Sequence, residues 1–110
     1  MQTLHQQLLT DLARLETTLK QADLWADIAP TPQQLASQQP FCIDTMTLQQ
    51  WLQFVFIEKL TVLALNEQPL PMNIAVSPIA EQVFKDHKAG AKLVADITAI
   101  DSLLSGQAHD

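Results

Sequence analysis

The segment from Leu48 to Glu67 limits the fold more than any other part of the chain. It packs Trp51, Leu52, Phe54, Val55, Phe56 and Ile57 into seven positions and continues with Leu60, Leu63 and Leu65. Its length exceeds that of a buried strand, so it reads as a helix, although Phe54 to Ile57 taken alone would pass for a strand. Thr47 and Gln50 match a capping box at its start, Asp44 is a second candidate cap, and Pro69 and Pro71 close it. A helix that is apolar nearly all round belongs at the centre of a bundle, with neighbours on several sides.

The remaining segments supply those neighbours. Leu4, Leu8, Leu12, Leu15 and Leu19 recur in steps of three and four, and Thr3 with Gln6 forms a second capping box, predicting a helix from about residue 3 to Ala26. Residues 29–46 carry Pro30, Pro32 and Pro40 and read as a connection wrapped onto the core, with a short helix over Pro32–Ser37 after a Thr31 cap. Gln68–Val76 reads as extended. Ser77 as cap and Pro78 at the first position then begin a short helix. A break at Asp86–Gly90 precedes the last helix, whose inward face is Leu93, Ile97, Ile100 and Leu104. Gly106 is the expected stop, and residues 107–110 are expected to fray. The expectation is an all-α compact bundle of about four main helices in a single domain over residues 1–110, a size that supports one core.

Composition removes several functions. Twelve acids against six bases leave a net charge of −6, which repels phosphate backbones, so direct nucleic-acid binding is not expected. The single Cys42 allows no internal disulfide and suits a reducing compartment. No cationic leader precedes an apolar stretch, and no apolar run reaches membrane-spanning length, so a cytoplasmic protein without membrane contact is expected. Two glycines cannot build a phosphate-cradling loop, and the three scattered histidines offer no metal-ligand spacing; no cofactor or metal is expected.

What chemistry remains is sparse. Cys42 between Phe41 and Ile43 reads as a buried structural thiol, and a reactive centre would need Asp44 and His87 to gather around it in a pocket. Asp96 and Asp101, five apart, do not share a helical face and read as solvated. Lys85, Lys88 and Lys92 would form a small basic patch, a weak candidate for phosphate contact, if helicity ran through them. Trp51, Phe54 and Phe56 cannot all face one way on a helix, so at least one is a candidate partner contact, as are the acids Asp23 and Asp27.

Residues 37–60, Ser-Gln-Gln-Pro-Phe-Cys-Ile-Asp-Thr-Met-Thr-Leu-Gln-Gln-Trp-Leu-Gln-Phe-Val-Phe-Ile-Glu-Lys-Leu, closely resemble the YqcC-like family of small bacterial proteins. Further matches are Gln-Pro-Leu-Pro at 68–71, Ala-Val-Ser-Pro at 75–78, Asp86-His87 and Asp101, so the resemblance spans roughly residues 8–104. Lys88 departs from it, since the family pattern has proline there. The resemblance implies a helical domain with no established reaction. It also implies structural roles for Pro40 and Phe41, which anchor the connection, and for Asp44 near a helix start. Family members are often encoded beside a tRNA pseudouridine synthase, which makes that enzyme the expected partner. The resulting expectation is a non-catalytic interaction module, with self-association through the central helix or a small ligand pocket as alternatives.

Overall fold

Three Thr-x-x-Gln boxes start three of the helices. At Thr3–Gln6, Thr31–Gln34 and Thr47–Gln50 the threonine hydroxyl accepts from the glutamine amide, while the glutamine side chain accepts from the threonine amide. In the computed structural model, which describes residues 3–105, they begin α1 (Leu4–Gln21), α2 (Pro32–Leu35) and α3 (Leu48–Trp51). The stop expected at Gly106 and the tail 107–110 lie outside the described residues. A 3₁₀ turn, Pro40–Cys42, precedes α3. A π-helical turn, Leu52–Ile57, joins α3 without a break to α4 (Glu58–Leu65), and the three together form the central helix. Thr47, not Asp44, is its cap; the Asp44 carboxylate accepts from the Ser37 hydroxyl. After an extended connection come α5 (Ser77–Val83) and α6 (Gly90–Leu103), and no strand occurs among the described residues.

Two helices end where an acid takes the left-handed conformation. In α1 this is Asp23, at φ 60°, with Leu24 N–H bonded to the Leu19 carbonyl at 2.9 Å and Asp23 N–H to that of Lys20 at 3.2 Å. That Schellman closure ends α1 earlier than the expected Ala26, and Leu24 and Trp25 return to pack on the core from outside the helix. Glu67, at φ 51°, closes the central helix the same way, Gln68 N–H reaching the Leu63 carbonyl at 2.9 Å. A side chain in this conformation costs about 1 kcal/mol or more that glycine avoids, offset in part by the freedom glycine loses on folding. Glu67→Gly should therefore stabilise the fold by about 0.5 kcal/mol, read as a higher urea midpoint at unchanged slope.

α1 packs against both α4 and α6, and α5 packs on α6. Leu8, Leu12, Leu15 and Leu19 are at most 2% exposed and share one cluster with Leu52, Leu60, Leu93 and Ile100. Each such leucine contributes about 2 kcal/mol of burial. The central helix is covered on its α1 side but not all round: Phe54 and Val55 are half-buried, and Val62 and Leu65 are 53% and 66% exposed.

The solvated face expected for Asp96 and Asp101 is not observed, because both carboxylates are buried. Asp96 accepts from the Thr18 hydroxyl of α1 at 2.5 Å, with Lys92 at 3.7 Å from its other oxygen. Asp101 reaches across to α5 and accepts the Val76 and Ser77 amides at 2.9 and 2.8 Å. Ser77 consequently does not cap α5. The orphan donors at that helix start are satisfied by a carboxylate from α6, which also suits the positive end of the helix dipole.

Candidate functional site

The uncovered side of the central helix forms one flank of a groove of about 700 Å³, within the range of ligand and partner sites. Residues of the 37–42 segment and of the 71–76 connection also line it. Trp51, Phe54, Val55, Phe56, Leu60 and Leu63 supply its central-helix surface. In a regular α-helix Trp51 and Phe56 would point about 140° apart, but the i→i+5 spacing of the π turn brings them together. Their ring centroids lie 5.3 Å apart, and Phe41 meets Trp51 edge-on at 5.0 Å. π turns often mark functional positions in helices.

The 3₁₀ turn contributes a second irregularity. Phe41 and Cys42 are consecutive left-handed residues, at φ 58° and 50°, a conformation costly for an aromatic side chain. Pro40 opens the turn and is exposed, while Cys42 is buried, 8% exposed, in the groove lining. Among the described residues, Lys59 is the only charged one in that lining and makes no ion pair.

Gln53 lies inside the π turn but faces away from the groove, and residue-by-residue pattern reading passed over it. Its buried amide accepts from Ala26 N–H at 2.8 Å and donates to the Ala26 carbonyl at 2.9 Å, fastening the loop after α1 to the central helix. The available signal was a lone glutamine inside the most apolar run of the chain. The loop so held carries Asp23 and Asp27, both exposed.

Of the aromatic candidates, Phe56 is buried and Trp51 and Phe54 are half-buried, all three in the groove lining. The three groups proposed for a reactive centre are not gathered there. Cys42 lines the groove, but Asp44 and His87 do not, and the His87 ring accepts from the Ala89 amide at 3.0 Å. Among the described residues, no group of three His, Cys, Asp or Glu side chains could hold a metal ion. The basic candidates do not share a helical face, because turns at residues 84–89 interrupt the spacing between Lys85 and Lys92, and Lys92 is engaged by Asp96. Among the described residues the Lys88 amide donates no backbone hydrogen bond, so the proline that the resemblance leads one to expect there would cost this junction none.

A small helical bundle with an aromatic groove beside its central helix is the class that fold and site define. The chain belongs to the YqcC-like family, whose model carries the description "tRNA pseudouridine synthase C" and matches residues 7–103. An uncharacterized protein of Haemophilus influenzae is 35% identical over 84% of this chain and 87% of its own. The uncharacterized protein YqcC of Escherichia coli is 36% identical over 96% of this chain and 98% of its own. The solution structure of E. coli YqcC superposes with a TM-score of 0.84, covering 97% of this chain and 92% of that one at 36% identity. A stretch of 57 residues, 52% of this chain, is also 33% identical to part of a tRNA pseudouridine synthase C of Pectobacterium carotovorum subsp. carotovorum, where it accounts for 15% of the longer chain. No helix among the described residues is long and apolar enough to cross a membrane.

Proposed function

We propose that this chain is a non-catalytic interaction module of the bacterial cytoplasm, acting as an accessory to a tRNA pseudouridine synthase. The observation that carries this reading is the Pectobacterium match: a segment resembling 52% of this chain occupies 15% of a chain bearing the synthase's name, leaving the rest of that chain outside the resemblance. A module found on the same polypeptide in one species commonly meets its partner as a separate chain in another. Charge supports the pairing, since an enzyme that grips tRNA presents a basic face and this chain carries a net charge of −6. Asp23 and Asp27, exposed on the loop held by Gln53, are suited to that contact.

The test is co-purification, then calorimetric titration, with the purified tRNA pseudouridine synthase C of the same genome. Binding is expected at low ionic strength, with affinity falling as salt rises. Asp27→Lys combined with Asp23→Asn, the latter chosen because asparagine tolerates the left-handed backbone, should weaken it several-fold. An absence of interaction at low salt ends the proposal.

A further inference from the structure

We infer that Gln53 is a positioning residue for the synthase contact: by fixing the main chain at Ala26 it holds the loop in one shape, so that Asp27 and Ile28 meet the partner's basic face as a preset tip. This rests on the accessory reading above and adds how the contacting loop is held and which apolar side chain it offers.

Little else fixes that loop. Between Trp25 and Pro30, the two bonds from Gln53 to Ala26 are the only main-chain hydrogen bonds among the described residues. Leu24 and Trp25 pack on the core before it and Pro30 is buried after it, so exposed residues 27–29 span two fixed points. Ile28, at 82%, is the most exposed large apolar side chain among the described residues. A single exposed isoleucine is ordinary on a surface. What sets this one apart is the main chain beside it, fastened by a buried side chain from a separate segment.

Gln53 has no other reason to be polar. It is 7% exposed in the most apolar run of the chain, where methionine or leucine would be buried at less cost. Both ends of its amide go to Ala26, one accepting the N–H and the other donating to the carbonyl. A loop already in its bound shape does not have to be ordered on association, which removes that cost from binding. Asp27 then meets a cation of a tRNA-gripping surface while Ile28 enters an apolar depression beside it, and the partner must present the two together. A loose loop would carry the same charge without that fixed pairing.

The full chain is titrated calorimetrically with the purified synthase at low ionic strength as wild type, Gln53→Met, a tip variant joining Asp27→Ala to Ile28→Ala, and all three substitutions together. Methionine is close to glutamine in length and volume, so the core stays filled. Circular dichroism verifies folding, and faster amide exchange at Ala26 shows that the loop is released. Gln53→Met should weaken binding about fivefold and the tip variant about tenfold, with the triple variant no weaker than the tip variant, because a positioning residue acts only through the groups it positions. Independent losses, about fiftyfold in the triple variant, would make Gln53 merely structural and overturn the inference. So would wild-type affinity in a Gln53→Met protein whose loop is released. Wild-type affinity in the tip variant overturns it as well, and that result stands even where Gln53→Met does not fold, since both tip residues are exposed. Glu81→Ala, which removes an exposed acid from α5, controls for net charge and should bind as wild type. A loss there equal to that of the tip variant gives the contact to overall charge and overturns the inference. Each of these outcomes leaves the accessory role standing, whereas failure of the wild type to bind overturns both.

Discussion

Gly90→Ala is expected to destabilise the fold by about 3 kcal/mol and to lower the melting midpoint by about 10 °C or more. A Cβ built on Gly90 would lie 2.1 Å from the Phe84 carbonyl oxygen and 3.1 Å from its carbon. Those are backbone atoms, so no rotamer change relieves the overlap. Phe84 is held in turn: it is 3% exposed in the main cluster, its amide is bonded to the Ala80 carbonyl at 2.9 Å, and its carbonyl accepts from His87 N–H at 3.0 Å. Relief therefore requires moving the end of α5 away from the start of α6, which opens the contact between those helices. Alanine is the better helix former, so propensity alone predicts the opposite sign. Melts of Gly90→Ala beside the exposed control Lys88→Ala decide the matter: a control near wild type and a large loss at Gly90 are expected, whereas equal midpoints would remove the steric account.

The course of the chain was legible wherever the signal is local. Capping boxes at Thr3 and Thr47, the leucine spacing of α1 and the prolines around α2 each act within a few residues, and the corresponding helices start where those signals stand. Helix ends were unevenly legible: the central helix stops at Glu67, where the prolines beyond it had placed its end, whereas α1 stops at Asp23, short of Ala26, because an acid stands where glycine would have been the visible sign. The π turn was illegible for a different reason: a run apolar on every face has no period from which a change of pitch can be read. The groove stood half in view. Trp51, Phe54 and Phe56 were recognisable as aromatics too numerous for one face, but their convergence with Phe41 depends on that turn and on a left-handed pair contributed from a separate segment. Long-range polar contacts left the least trace. Asp96 and Asp101 look like surface acids in sequence, since what buries them is α1 and α5, elements far away along the chain.

Asp101→Ala should cost about 3 kcal/mol, concentrated in α5. One carboxylate oxygen accepts two amides, at Val76 and Ser77, and removing it leaves both donors without a protein partner beside a residue only 3% exposed. Ser77 cannot take over, since it already stands inside the helix and makes no capping bond. α5 has seven residues, too few to persist on propensity alone, so it depends on this cap and on its packing against α6. The second carboxylate oxygen, Oδ1, is buried without a hydrogen-bond partner, and its loss offsets part of the cost. Asp101→Asn sharpens the test: it keeps an acceptor for the two amides but loses the charge and places an amino group where Oδ1 has no partner, so about 1–2 kcal/mol is expected. Urea unfolding gives the totals, and amide exchange locates them. Protection over residues 77–83 should fall sharply in the alanine variant and moderately in the asparagine variant, while α1 retains exchange slower than α5. Equal protection of α5 in wild type and Asp101→Ala would mean that the short helix is held by its apolar contacts with α6 and owes nothing to the carboxylate.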